Sequence, residues 1–402
     1  GSGTVYKGNV PGSVLSDLLS LGVAADPYWR TNEYQTKELF RKDYLYFRPF
    51  DMTDENLEAE EILLVLEGID TIGEIFLNGE LLCSVNDMHR TYRIPVKGKL
   101  KKENEISIKL YSPLRFIEKA DREGDIAYAS TGCQKGNGAL RKAHYMFGWD
   151  WGPQLPDSGI FRDVYLICTS MARFDNIRIR QFHGADQVTL TIEPELVCLG
   201  AEKLDFLCEV TGSDGKMVFS EEKVWEKEGG QDAWQVEIQQ PNLWWPCGYG
   251  SQSLYHIRVT MSAEGELLGQ VTKQIGLRTI TVCTDRDQWG SQFAFVVNGQ
   301  KIFAMGANYI PEDNIRGRIS KERSEHLVKD CARANFNCIR IWGGGYYPDD
   351  YLYDACDRYG ILVWQDLMFA CSVFPAEGEL LENIRQEAID NVRRLRNHSC
   401  IA

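Results

Sequence analysis

Residues 337–365 read NCIRIWGGGYYPDDYLYDACDRYGILVWQ. NCIRIW (337–342) is a short apolar run, 349–359 has helical spacing, and ILVWQ (361–365) is apolar again. Strand, helix and strand in alternation predict parallel βα units. The pattern extends both ways. Upstream, KIFAMGA (301–307) reads as a buried strand, and Ser320 is placed to cap a helix running to about Ala334, with Leu327, Val328 and Cys331 on one face. Downstream, 380–396 predicts a third helix, and Cys400-Ile401-Ala402 the start of a fourth strand. Three such units leave sheet edges and apolar faces uncovered. The chain is therefore expected to be a fragment of a longer one, in which eight units close a barrel with its active site at the C-terminal ends of the strands.

Before this region the texture is β. EILLVL at 61–66 is a short apolar run. DTIGEIFLNGELL at 70–82 sets Asn78-Gly79 between apolar stretches, a strong hairpin signal because both residues accept the positive φ of a type I′ turn. Residues 106–110 alternate with period two, and 163–167 is a further strand. Such spacing predicts a sandwich or jelly roll over 1–170, with one early helix at 13–21. Alternating runs at 176–180, 187–192, 204–210, 234–238 and 254–261 fit an immunoglobulin-like sandwich over 171–277. It lacks a Cys…Trp…Cys framework and so reads as a non-antibody relative. The third region spans 278–402.

The composition suits a soluble protein with a substantial core: of 402 residues, 44% are hydrophobic and 25% charged. A net charge of −14 disfavours nucleic acid and anionic membranes as partners and suits neutral ligands, although plain solubility explains it as well. No apolar run has the length of a membrane span, and no signal peptide is visible. The 12 cysteines contain no CxxC pair and point to a reducing compartment. The 6 histidines show neither HxxxH nor HExxH, so no metal site is expected. The 10 tryptophans suit stacking on sugar rings or filling a large β core.

Several stretches together resemble glycoside hydrolase family 2, and within it the β-mannosidases. Near the start these are Val10-Pro11-Gly12-Ser13-Val14, Ser16-Asp17-Leu18-Leu19 and Asp26-Pro27-Tyr28. Ser158-Gly159-Ile160-Phe161-Arg162-Asp163-Val164 resembles the end of the family's first domain. Leu243-Trp244-Trp245-Pro246 and Gly250-Ser251-Gln252-Ser253-Leu254-Tyr255 resemble its sandwich, and Gly306-Ala307-Asn308-Tyr309-Ile310-Pro311 its first barrel strand. Two stretches set mannosidases apart: FGWDWGP (147–153), and RIWGGG (340–345) followed by Trp364-Gln365-Asp366. The resemblance covers almost the whole chain. It departs in lacking the family's Trp-containing N-terminal strand, as if trimmed. It implies a galactose-binding-like β jelly roll, an immunoglobulin-like β-sandwich and an incomplete (β/α)8 TIM barrel.

The resemblance also implies an exo-acting, retaining β-mannosidase without metal or organic cofactor. The acid/base Glu is expected a handful of residues after HSCIA (398–402) and the nucleophile later still, both beyond Ala402, leaving the fragment inactive. Glu377, Glu379 and Glu382 read as solvated surface. The remaining candidates bind sugar. Trp342, at the end of the second barrel strand, faces the mouth, and Gly343-Gly344-Gly345 beside it lets a ligand approach closely; the alternative is a buried core tryptophan. Asp150 sits on a loop reaching over that mouth and accepts hydrogen bonds from hydroxyls, unless it merely caps its own loop. Trp149 and Trp151 are balanced between pocket wall and core. Asp366 binds a hydroxyl or orients a neighbour. Arg340 pairs with a catalytic carboxylate or forms a structural ion pair, Asn308 is a weaker contact, and His144 reads as structural. β-Galactosidase, β-glucuronidase and a non-catalytic carbohydrate-binding protein remain alternatives. A glycoside or oligosaccharide is the expected partner, and a homodimer is compatible with the sequence. The scattered cysteines and the single sequon at Asn397 favour a bacterial cytoplasmic setting over a lysosomal or secreted one.

Overall fold

The computed structural model describes residues 3–124, 132–227, 233–374 and 377–402. In the first β body, a four-stranded antiparallel sheet runs in the order Tyr44–Asp51, Glu103–Leu110, Gly73–Leu77, Glu80–Val85. It shares one core with a three-stranded sheet of Tyr92–Pro95, Glu61–Leu66 and Val164–Thr169, in which Ile62, Leu64 and Leu66 meet Ile75, Leu77 and Ile108. Asn78 and Gly79 adopt φ of 53° and 82°, as the sequence predicts for the hairpin between Gly73–Leu77 and Glu80–Val85. The early helix is Val14–Ser20, with Ser13 as its cap in a reciprocal pair with Ser16.

The second body packs a three-stranded sheet (Ala172–His183, Gln187–Cys198, Trp234–Gln239) on a four-stranded one (Met217–Glu226, Lys203–Thr211, Leu254–Ala263, Glu266–Gly276). The longest strands that the sequence reading missed are Tyr44–Asp51, Met217–Glu226 and Glu266–Gly276, all sheet edges; it also missed the shorter Tyr92–Pro95, Ile280–Cys283 and the central Ala294–Val297. Met217–Glu226 buries no residue fully, so its sequence is free of the alternation that burial imposes.

The third region holds a parallel sheet of β1 (Gly306–Tyr309), β2 (Cys338–Ile341) and β3 (Leu362–Gln365). The helices are α1 (Lys321–Arg333), α2 (Asp350–Tyr359) and α3 (Gly378–Leu395). Ser320 caps α1 as expected, accepting the Arg323 amide at 3.2 Å. Its buried face is narrower than the spacing implies, because Val328 is buried while Leu327 is exposed. Ile401 adds a parallel bridge to Val363. One expectation fails: KIFAMGA is not a single buried strand. Gln300–Ile302 pairs antiparallel with Ala294–Val297, Phe303 and Met305 lie exposed, and Gly306 then opens the parallel sheet. A Cβ on Gly306 would fall 1.6 Å from the Cys338 carbonyl oxygen, so the chain enters the sheet only through glycine.

Two clamps dock these bodies. At the foot of the parallel sheet, the Trp244 indole N–H of the second sandwich donates to the Asp357 carbonyl at 2.8 Å. The Asp357 carboxylate accepts the Cys400 amide and holds the His398 ring, both at 2.7 Å. On the opposite flank, Arg141 of the first body grips Glu387 of α3 through Nε and Nη2, at 2.8 and 2.7 Å, with both side chains 1% exposed. Glu377, Glu379 and Glu382 are exposed, whereas Glu387, two turns on, is not.

Removing one partner of a buried pair strands the other charge. Glu387→Ala is expected to cost about 3–5 kcal/mol, read as a lower denaturation midpoint; an unchanged midpoint would show the pair to be neutral. For His398, burial opposes the charged ring, but the bond to Asp357 outweighs it and the pKa is raised. The pair's contribution is complete below the ordinary histidine value and fades as pH climbs through the raised one. His398→Gln is expected to remove that loss of stability, measured as denaturation midpoint against pH.

Candidate functional site

β2 runs directly into Trp342 and the buried Gly343-Gly344-Gly345. A Cβ on Gly344 would lie 2.2 Å from the Trp342 ring and 2.7 Å from Cys371 Sγ; one on Gly343 would lie 2.6 Å from the Leu367 carbonyl oxygen. The space the sequence reading gave to a ligand is thus filled, at these two positions, by the protein itself. The bare backbone lets Trp342 settle against its own loop, with the segment after β3 folded over it.

The first sandwich supplies the facing rings. Trp149-Asp150-Trp151-Gly152 is a tight turn in which Trp149 and Gly152 exchange backbone hydrogen bonds at 3.4 and 3.3 Å. The Trp149 ring lies 5.2 Å from Trp342, tilted by 44°, and the Trp151 ring lies 6.0 Å from it, at 71°. Trp151 stacks in turn on buried Tyr145 at 5.8 Å. The Tyr145 amide donates to the Gly344 carbonyl at 2.9 Å, tying the wall to the glycine run. Asp150 is exposed at the tip of the turn, and its carboxylate makes no hydrogen bond among the described residues.

A polar group sits at the same end of the sheet. Asn308 pairs in register with Arg340 across β1 and β2, and Asp366 follows β3. Arg340 donates Nε–H and Nη2–H to Asp366 at 3.1 and 2.5 Å, and Nη1–H to Asn308 Oδ1 at 3.2 Å. The Gly343 amide donates to Asp366 Oδ2 at 3.1 Å. Of the two roles open to Arg340, the described residues therefore show the ion pair, with Asp366 as its partner. The two-pronged contact fixes the carboxylate in the loop beside Trp342.

The sequence reading missed two supports. Tyr145 carries no motif of its own. Helix Asn32–Lys37 braces the tryptophan turn: Glu33 accepts the Gln154 amide at 2.7 Å, and Lys37 donates to Gln154 Oε1 at 2.6 Å. Its signal was the four-residue spacing of Glu33 and Lys37. His144 is buried, bonds the Ala370 carbonyl at 3.0 Å, and is pushed down to about 4 by burial.

Among the described residues, Asp357, His398 and Cys400 are close enough to share an ion. Both Asp357 oxygens are already engaged by His398 and the Cys400 amide, and burial holds the Cys400 thiol well above its usual range. That geometry is a hydrogen-bonded clamp. A cavity of about 650 Å³ opens between the first sandwich and the starts of α1 and α2, away from all six candidates. Its arginines are spent on neighbours: Arg162 and Arg316 on Asp349, Arg394 on Asp350, Arg393 on Asp175 and Arg93 on Asp390. The aromatic wall is the better candidate.

Residues 1–162 match the family described as "Glycosyl hydrolase 2 galactose-binding domain-like", and 172–278 that described as "Glycosyl hydrolases family 2". The chain is 34% identical to β-mannosidase B of Neosartorya fischeri over 398 residues, covering 98% of this chain and 46% of the relative. It is 35% identical to β-mannosidase B of Aspergillus niger, with 98% and 47% covered. Among solved structures, a β-D-mannosidase from Dictyoglomus thermophilum superposes with a TM-score of 0.93 at 32% identity, covering 99% of this chain and 49% of that one. A β-glucuronidase from Bacteroides uniformis, with TM-score 0.68, 21% identity, and 93% and 41% covered, shares the fold. The chain spans about half the length of the curated relatives it matches.

A methyl group at Gly344 has nowhere to go but into Trp342. Gly344→Ala is expected to cost about 1–3 kcal/mol and to change the near-ultraviolet circular dichroism of the aromatic wall; an unaltered spectrum would show that the ring has room to spare.

Proposed function

The chain belongs to glycoside hydrolase family 2, and on that footing we propose that it is part of an exo-acting, retaining β-mannosidase that removes terminal β-linked mannose from non-reducing ends. One contact carries the reading. FGWDWGP (147–153) and RIWGGG (340–345), the stretches by which the chain resembles mannosidases, come from different bodies and meet at the Trp149–Trp342 pair. Trp342 offers an aromatic plane to the C–H face of a sugar. Asp150, free at the tip of its turn, can accept two neighbouring hydroxyls. Asp366, held by Arg340 and the Gly343 amide, keeps lone pairs for one more, and Asn308 lies at the edge of that group.

Retaining hydrolysis needs two carboxylates roughly 5–5.5 Å apart, one as nucleophile and one as acid/base. Asp366 is engaged by Arg340 and serves as a positioning residue. We assign both catalytic glutamates to sequence outside these 402 residues, on later strands of a (β/α)8 barrel that β1 to β3 begin; the half-length match to the mannosidases supports this. The reaction needs no metal or organic cofactor, because two carboxylates suffice. The limits 1–170, 171–277 and 278–402 follow for the three domains. The twelve scattered cysteines, with no CxxC pair among them, favour a reducing compartment, and no described helix is long and apolar enough to cross a membrane.

The test is p-nitrophenol release from β-mannoside, β-galactoside and β-glucuronide by the longer natural chain and by these 402 residues alone. The expected result is turnover of the mannoside by the longer chain only. Preference for the galactoside or glucuronide would discard Asp150 and Trp342 as mannose contacts. Turnover by the 402 residues would show the catalytic pair to lie within them.

A further inference from the structure

Beside the tryptophan turn lies a run of aromatic side chains that the site as described does not use. Residues 26–34, DPYWRTNEY, carry Tyr28, Trp29 and Tyr34, which are 48%, 62% and 72% exposed. Three large rings so exposed in nine residues are more apolar surface than a solvated loop has need of. The segment is also firmly built. Pro27 and Thr36 are buried, the Trp29 amide donates to the Asp26 carbonyl at 3.1 Å, and Asn32 Nδ2 donates to the same carbonyl at 2.9 Å.

This segment is joined to the candidate site from two directions. Glu33 and Lys37 hold Gln154, two residues past Gly152. Asn314 stands beside Tyr28, and its Oδ1 lies 2.9 Å from the point where a Cβ on Gly152 would stand. Asn314 therefore lies between Tyr28 and Gly152, the neighbour of Trp151, and Trp151 is itself about one-third exposed. Tyr28 and Trp29 stand outward of the tryptophan turn, on the flank that Gly152 and Asn314 share. Guanidinium groups accompany the outer rings, Arg30 at 5.3 Å over Trp29 and Arg318 at 5.9 Å over Tyr28.

We propose that Tyr28 and Trp29 form a shelf for the leaving-group side of the substrate, the second and further pyranose rings of a β-manno-oligosaccharide. The proposal rests on the reading of the Trp342 site as the place of the terminal mannose. An exo-acting site encloses one sugar and sends the rest of the chain out past its rim, and the shelf stands on that rim. Exposed aromatic planes stack on the C–H faces of pyranose rings, while Arg30 and Arg318 supply donors for hydroxyls. The carboxylates Asp26 and Glu33, of types depleted in the cores of protein interfaces, suit a hydroxylated ligand better than a second protein surface.

The longer natural chain and its Trp29→Ala and Trp29→Phe variants would be compared on β-mannotriose and on β-mannosyl fluoride, whose leaving group is too small to reach the shelf. For Trp29→Ala the KM for mannotriose is expected to rise about five- to tenfold, with kcat/KM for the fluoride changed less than about twofold. Trp29→Phe is expected to recover most of the mannotriose KM. An unchanged mannotriose KM overturns the shelf, and so does an equal loss on both substrates, which would mark Trp29 as structural. A wild-type dimer that Trp29→Ala turns into a monomer, with both KM values unmoved, assigns the patch to a second copy instead. If the wild type hydrolyses neither mannoside, the reading of the site itself has failed, a result that differs from a failure confined to the variants.

Discussion

A guanidinium and a carboxylate sealed away from water set the geometry of everything around the candidate site. Arg141 and Glu387 belong to different bodies, 246 positions apart, yet their side chains meet through two hydrogen bonds. Such a pair survives burial only if each polar atom is answered. The Tyr347 hydroxyl donates to Glu387 at 3.1 Å, and the faces of Phe369 and Phe374 cover the guanidinium at 4.9 and 5.1 Å. Asp87, buried alongside, is held well above the usual carboxylate range by burial and by the Glu387 charge, with Arg141 opposing. The planar, two-pronged contact fixes an angle as well as a distance. It aligns residues 137–147 against α3, and those residues carry Tyr145 to the glycine run and lead into the tryptophan turn.

The opposite clamp uses different physics. The Trp244 ring is fully buried between the second sandwich and α2, and its one polar atom is satisfied by a main-chain carbonyl. Hydrophobic burial gives that joint its strength, while the hydrogen bond fixes its register. The third region is thus gripped from two sides, and its strand ends have little freedom to shift relative to the loops above them.

How much of this could be read in the chain depended on burial. Glu61–Leu66, β2 and β3 announced themselves because they are largely buried and the sequence must comply, whereas the mostly exposed β1 was misplaced. Tyr44–Asp51 and Met217–Glu226 passed unseen because an edge strand obeys no such rule. In the site, Trp149, Asp150 and Trp342 were legible as residues, but their meeting was not, since it is decided by docking. Arg340 was left between two roles that only the position of Asp366 separates. The glycine run was misread for a related reason: a missing side chain marks a close approach, and the sequence does not say what approaches. Glu387 gave no sign at all, because a glutamate on a helix looks solvated until its distant partner is known.

The aromatic wall also implies an order of events in the cell. Trp149 leaves the ribosome roughly 190 residues before Trp342, which at typical elongation speed is on the order of 10–40 s earlier. Throughout that interval the tryptophan turn stands without the ring it will pack against. The first sandwich must hold these indoles in place by its own core, or shield them, until the parallel sheet emerges and closes over them. The aromatic wall is therefore a late product of biosynthesis, and no chain that stops short of Trp342 presents it complete.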